Sequence, residues 1–256
     1  MQEFLIFTGA AWALFGVLEY AFPYSPDQPI RREGRTTDWA YLVFNGVTER
    51  VVAPAFVLGV IGLAAWAFPR PGESWISAQP VWLQILALLL IGDLFHYWIH
   101  RALHATPFLW RVHSIHHSST ELDWLSASRS HPLDLVISVT LRAGLLYAVG
   151  FHLELIGPYV PAVLLLNPLI HSNVRWRFGW LGSVLVSPAW HREHHATQAG
   201  AGGHNFSGIF PVWDYLFGTA RAPSEPVARF GLRDEERIPD RFWAQLASPW
   251  RAPKPH

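Results

Sequence analysis

Four apolar runs, each close to the thickness of a bilayer, limit what this chain can fold into more than any other feature. They are Phe4 to Phe22, Val51 to Phe68, Val81 to Ile99 and Leu133 to Ile156. Each is near the roughly 20 residues that a helix needs to cross the hydrocarbon core. Backbone groups in lipid must be paired internally, so such runs are read as helices. Pro23 and Pro26 stop the first run, and Pro69, Pro71 and Gly72 stop the second. Arg142, His152 and Glu154 interrupt the fourth, and Glu19 near the end of the first is tolerable at an interface. Residues 158–170, with prolines at 158, 161 and 168, form either a fifth span or one arm of a hairpin with the fourth.

Composition agrees. Hydrophobic residues make up 51% of the 256, charged residues only 15%, and the mean hydropathy is +0.18. A soluble domain carries about 25% charged residues, so the balance is that of a membrane protein with substantial polar loops. The net charge is zero with very few lysines, which gives a nucleic-acid role no support. Cysteine is absent, which excludes disulfides, thiolate metal sites and a cysteine nucleophile. The first residues lack a basic segment and a small-residue cleavage site, so Phe4–Phe22 is read as a retained span and not a signal peptide.

Arginine placement sets an expected orientation. Arg31, Arg32, Arg35 and Arg50 lie between the first two runs, and Arg101, Arg111 and Arg129 follow the third, whereas the 69–80 connection has only Arg70. With the N-terminus outward, the basic segments fall on the cytoplasmic side. The membrane would be the inner or plasma membrane in a bacterium.

On that side lies the densest chemistry. Six of the 14 histidines fall between Asp93 and His117: His96, His100, His104, His113, His116 and His117. The first three, at i, i+4 and i+8, form one stripe on a helix. The last three read H-x-x-H-H, a spacing that also shares one helical face, and the same spacing returns at His191, His194 and His195. Imidazole is the commonest protein metal ligand near neutral pH. Two identical spacings so far apart point to one centre assembled from both. With His171 as a further candidate, nine imidazoles suit two ions with four or five ligands each. Imidazole serves iron, zinc, copper and nickel, so the metal stays open. Asp93, Glu121, Asp123, Glu193 and Asp214 are candidate acceptors for the imidazole N–H groups.

His100-Arg-Ala-Leu-His104, His113-Ser-Ile-His-His117 and His191-Arg-Glu-His-His195 resemble the three histidine boxes of the fatty acid hydroxylase/sterol desaturase superfamily. The resemblance extends to LWRVHSIHHSS, SRSHPLD at Ser128–Asp134, IHSN at Ile170–Asn173 and WDYLFGT at Trp213–Thr219, and covers about Ala87 to Thr219. It implies an integral membrane oxygenase with two Fe ions (zinc being possible in purified protein) and O2 as co-substrate. It also implies a lipid or sterol-like substrate that is hydroxylated or desaturated. His100, His104, His113, His116, His117, His191, His194 and His195 become metal ligands and catalytic residues by that resemblance, and His171 a ninth ligand. His96, one turn before the first box, is assigned either to a place behind the ligands or to the pocket, His131 to loop stabilisation, His152 to the opposite side of the membrane and His204 to positioning. Asn167, one turn before His171, replaces a histidine of some relatives. The sequence has no haem, flavin or cysteine-cluster motif, so electrons would come from a separate ferredoxin- or cytochrome b5-like donor, with Arg175, Arg177 and Arg192 either its docking surface or simply part of the positive-inside bias. Trp82, Phe95, Trp98 and Trp110 either line the lipid path or serve as interfacial-belt and core aromatics.

The fold expected is all-α, a multi-pass helical membrane protein of about four to five membrane segments with a cytoplasmic histidine-rich helical cap. Residues 1–80 would hold the N-terminal spans and basic loop, 81–220 the histidine-box domain, and 221–256 a cytoplasmic C-terminal tail. Two other classes compete. A zinc-dependent membrane hydrolase would need a general-base carboxylate such as Glu193. A membrane metal transporter would place its ligands near the midplane, not at helix ends.

Overall fold

The computed structural model describes residues 2–67, 74–151, 163, 165–223, 227 and 229–251. Helix α1 covers Gln2–Ala21, the extent of the first predicted span. Helix α2, Arg35–Val47, runs through a π-helical turn at Thr48–Val52 into α3, Ala53–Ala67. Helix α4 covers Val81–Ala105, α5 Pro107–His113 and α6 Pro132–Val149. A short helix at 165–171, here α7, precedes α8 at Pro188–His194, α9 at Val212–Leu216 and α10 at Phe242–Ala247. Among the described residues there is no strand, only isolated bridges joining Pro23 to Val174 and Ala196 to Phe230.

Among the described residues, three helices are long and apolar enough to cross a membrane: the joined α2–α3 helix of 33 residues, α4 and α6. Their exposed apolar side chains, among them Phe56, Leu58, Leu63, Leu86 and Leu141, are those expected to face lipid. Helix α6 packs between α3 and α4. Gly144 permits the α3 contact, because a Cβ there would collide with Val60, and small residues let membrane helices approach closely.

Three sequence expectations change. The segment from Pro23 to Arg50 is not all loop, because Arg35–Val47 is helical and continuous with the second span. The fourth span stops at Val149, where Gly150 takes a left-handed conformation (φ 102°) that ends the helix, well before Ile156. The third extends to Ala105, carrying the first histidine box on its last turns. Residues 158–162 and 164 of the proposed fifth segment, together with His152 and Glu154, lie outside the described residues.

A buried charge network ties the polar side together. Asp38 accepts Arg32 Nη2 and Arg129 Nε at 2.5 Å each, Asp123 accepts Arg32 at 2.5 Å, and Asp240 accepts Arg129 Nη1 at 2.9 Å. Glu19, at the end of α1, accepts the backbone N–H groups of Trp124 (2.8 Å) and Asn173 (3.0 Å). The C-terminal residues dock on this side. Phe242 packs on Tyr41 with ring centroids 4.8 Å apart, and Trp110 Nε1 donates to Glu236 at 3.0 Å.

Candidate metal centre

The local sequence explains how the boxes meet. Helix α4 delivers His100 and His104 one turn apart on its buried face. Thr106 precedes Pro107, which disfavours helical geometry at Thr106. It is extended (φ −100°, ψ 122°), and the chain turns back into α5 with Pro107 in its first turn. His113 is the last residue of α5, whereas His116 and His117 sit on a separate 3-10 turn. The expectation of one continuous helical face for this box is therefore wrong. At the third box Ser187 caps α8 by accepting from Trp190 N–H, Pro188 starts the helix, and His191 and His194 share it with His195 at its C-cap.

The nine predicted imidazoles converge into two groups. His100, His104, His113, His117 and His194 form one, and His116, His171, His191 and His195 the other, each with its ligand nitrogens within 4.8 Å of one another. Both H-x-x-H-H boxes split, with members in each group. The groups adjoin: the rings of His117 and His195 stack with centroids 4.5 Å apart.

The nitrogens face each other as ligands of a common cation do. His191 Nε2 lies 3.0 Å from His171 Nε2 and from His195 Nε2, His116 Nε2 lies 3.1 Å from His171 Nε2, and His100 Nε2 lies 3.1 Å from His113 Nε2. Two ligands about 2.1 Å from one metal at right angles stand about 3.0 Å apart. Hydrogen bonds on the far nitrogens fix which nitrogen faces inward. Nδ1 of His100 donates to the Phe206 carbonyl (2.9 Å), His116 to Arg129 (3.0 Å), His171 to Asn167 (2.7 Å) and His194 to His204 (2.6 Å). A carbonyl can only accept, so each Nδ1 carries the proton and each Nε2 presents a lone pair. His113 Nδ1 pairs instead with Asp134 Oδ2 at 2.7 Å.

Inside the groups, His104 Nε2, His117 Nε2 and His194 Nε2 are buried with no hydrogen-bond partner. Buried polar atoms are rarely left so, and each such atom calls for an explanation. A cation shared by these lone pairs, all in the first group, accounts for them at once, and the close-set Nε2 atoms of His116, His171, His191 and His195 fit a second. Burial, reinforced by neighbouring imidazoles, holds His117, His191, His194 and His195 well below the ordinary histidine pKa. Burial likewise brings His116 down to about 4. All are therefore neutral near pH 7, the form that ligates metal.

Two carboxylates build the wall behind His100. Asp214 accepts the N–H groups of Phe206 and Ser207 (2.7 and 3.0 Å), and Asp93 those of Gly208, Ile209 and Phe210 (3.0, 2.9 and 2.8 Å). Five consecutive amides are thus held, and with them the Phe206 carbonyl that orients His100. Asp93 and Asp214 were expected to accept imidazole N–H groups and bind backbone instead. Asp123 is taken by Arg32, and Glu193 lies 3.2 Å from Arg221 Nε. Asp134 is the carboxylate on a ligand-group imidazole, and it was missed although it ends the SRSHPLD segment.

Other expectations sort by burial. Arg192 is buried, donates to the Val174 carbonyl at 2.6 Å and covers the Tyr24 ring at 3.9 Å, so it forms no docking surface. His131 caps α6 by accepting from Leu133 N–H.

A cavity of about 520 Å³ borders both groups, reached by His100 and His113 of the first and His116, His171 and His191 of the second. His96 lines it, as does Asn167. Trp82, Phe95, Trp98 and Trp110 do not, which favours the interfacial-belt and core role over the lipid path; Trp110 packs on His104, with centroids 4.9 Å apart.

Comparison with known proteins places this arrangement. The chain is 30% identical over 175 residues to alkylglycerol monooxygenase of Danio rerio, covering 62% of this chain and 34% of that protein. It is 32% identical over 140 residues to alkylglycerol monooxygenase of Homo sapiens, covering 55% and 31%. It is 29% identical over 180 residues to methylsterol monooxygenase erg25A of Aspergillus fumigatus, covering 68% and 57%. The chain thus spans from about a third to somewhat over half the length of these relatives. No solved structure matches it significantly. The sequence model of the fatty acid hydroxylase family matches residues 85–219, which is just over half the chain and includes all nine clustered histidines, and the chain belongs to that family.

Proposed function

We propose that the chain is a membrane-bound di-iron oxygenase that uses O2 and two electrons to hydroxylate or desaturate a lipid or sterol-like substrate. The convergence of nine imidazoles into two adjoining groups beside one cavity carries this reading. Iron held there would supply O2 activation and removal of hydrogen from an unreactive C–H bond. His100, His104, His113, His117 and His194 would hold one ion, and His116, His171, His191 and His195 the other. The carbonyls of Phe206, Arg129, Asn167 and His204 and the Asp134 carboxylate keep the ligand rings in register. The cavity holds the substrate beside the ions and away from bulk water. The ligands face the cytoplasm, and a separate ferredoxin- or cytochrome b5-like protein delivers the electrons. The relatives named for alkylglycerol and methylsterol support a substrate with a long or bulky apolar body.

The zinc-hydrolase alternative is less well supported, because Glu193, the base it would use, is absent from the cavity wall and sits beside Arg221. The test is metal content and O2 uptake of purified protein, comparing wild type with His113→Ala and His194→Ala. We expect about two irons per chain, four or five imidazoles each, with loss in both variants and O2 consumption under a reductant. Iron content that neither substitution alters would overturn the proposal.

A further inference from the structure

Asp93 is buried well inside a span, and it draws non-helical chain in after it. It lies six residues before Ile99, the end of the apolar run that began at Val81. At the rise of an α-helix that is about 9 Å into the hydrocarbon. Its oxygens accept the amides of Gly208, Ile209 and Phe210, so this loop reaches the same depth. Ile209 shares one apolar cluster with Leu88 of α4 and with Leu146 and Phe151 at the end of α6, and Leu185 and Phe210 pack against it. Leu88 lies eleven residues before Ile99, about 16 Å inside that end. The Ile209 carbonyl accepts from Val186 N–H at 2.8 Å, which ties a second stretch of chain to the first.

Both stretches have the composition that lipid contact requires. Phe178–Trp190 has no charged residue, and Asn205–Ala220 has only Asp214, which is buried and spent on the Phe206 and Ser207 amides and the Thr219 hydroxyl. Arg177 and Arg221 stand just outside the two stretches. Leu181, Val184, Val212, Tyr215 and Leu216 are nevertheless between 41% and 66% exposed. Apolar side chains gathered in this way mark an interaction surface. The surface continues onto a span, because Phe217, just after α9, packs on the exposed Trp98 of α4 with centroids 4.8 Å apart. Trp176, just before the first stretch, packs at 5.7 Å on Phe22, the residue after α1. Irregular backbone is tolerated at membrane depth only where the protein itself pairs its polar groups. Asp93 and Asp214 provide that pairing for the amides of residues 206–210.

From this we infer that Phe178–Trp190 and Asn205–Ala220 dip into the bilayer as a re-entrant pair held by Asp93, with Leu181, Val184, Val212, Tyr215 and Leu216 as a surface for lipid acyl chains. Part of the histidine-rich cap is then a membrane element and not a water-facing dome. The continuity with α4 and the lack of charge select acyl chains over a protein partner, whose rim would be polar. The inference goes beyond the oxygenase reading and does not rest on it.

The chain has no cysteine, so single cysteines report cleanly. Leu181→Cys, Val212→Cys and Leu216→Cys each carry a nitroxide label on zinc-loaded protein in phosphatidylcholine nanodiscs. Electron paramagnetic resonance reads collisions of the label with O2, which concentrates in hydrocarbon, and with a neutral nickel chelate, which stays in water. Leu58→Cys on the exposed face of α3 is the lipid reference, and Glu235→Cys in an exposed, charged turn is the water reference. Circular dichroism and retained zinc establish that each variant is folded. The expected O2-to-nickel ratio at all three positions is at least about tenfold above that at position 235 and within about twofold of that at position 58, because the polar chelate is excluded from hydrocarbon. A ratio matching position 235 would place the surface in water and overturn the inference. Slow collision with both reagents, the sign of a surface covered by a second copy of the chain, would overturn it equally.

Discussion

Replacing Asp134 with Ala tests whether the two histidine groups are separate metal sites. Asp134 Oδ2 accepts His113 Nδ1 at 2.7 Å, and both side chains are buried, so removing the carboxylate strands the N–H away from water. A hydrogen bond to a charged partner is worth about 1.5–3 kcal/mol. Removing the group behind a metal-bound imidazole typically lowers metal affinity about 10- to 100-fold, or about 1.4–2.7 kcal/mol at 1.36 kcal/mol per tenfold. The two estimates agree. The loss should fall on the group of His100, His104, His113, His117 and His194 alone. In the other group, His116 and His171 lean on the Arg129 and Asn167 carbonyls, which the substitution leaves in place. The assay is metal per chain after equilibration with graded chelator, with the visible spectrum of the cobalt-substituted protein reporting each site. One step should shift by the stated factor and the other stay put, and Asp134→Asn, which keeps an oxygen acceptor, should restore part of the loss. A parallel shift of both steps, or no shift, would refute the two-site reasoning.

Acid should unfold the metal-free protein early. His116, His191, His194 and His195 have folded pKa values below the ordinary 6.5, so below that pH the unfolded chain takes up protons that the fold refuses. Stability is therefore full above pH 6.5 and falls as pH drops, each group contributing about 1.4 kcal/mol per pH unit down to its folded value, about 4 for His116. Thermal melts in detergent across this window read the slope, and a flat profile would contradict the burial argument. Asp93→Ala should release the Gly208, Ile209 and Phe210 amides, raising their hydrogen exchange at least tenfold and weakening metal retention by the group containing His100. Unchanged protection of those three amides would show that the loop does not depend on Asp93.

The grouping of these histidines was foreshadowed because two H-x-x-H-H spacings and one H-x-x-x-H are local patterns at helix ends. Length and apolarity alone placed α4 and the helical character of the spans. What a chain pattern cannot carry is which neighbour a side chain meets. His113 and His116 are three residues apart yet serve different groups, because α5 ends between them and a 3-10 turn follows. Asp93 looked like a partner for imidazole but is spent on the amides of a loop 115 to 117 residues away. Asp134 holds His113 across 21 residues. Arg192 sits inside one box with the look of a surface charge, and it is buried under Tyr24.

The sequence by itself determined that the chain is helical, lives in a membrane and carries nine imidazoles at ligand spacing, since hydropathy and periodicity are properties of short segments. Only the tertiary structure decided how those imidazoles divide into five and four, which carbonyls and carboxylate orient them, and which polar groups line the cavity. Those are long-range pairings, and the free energy of burying a polar group depends on the partner it finds in three dimensions, not on its neighbours along the chain.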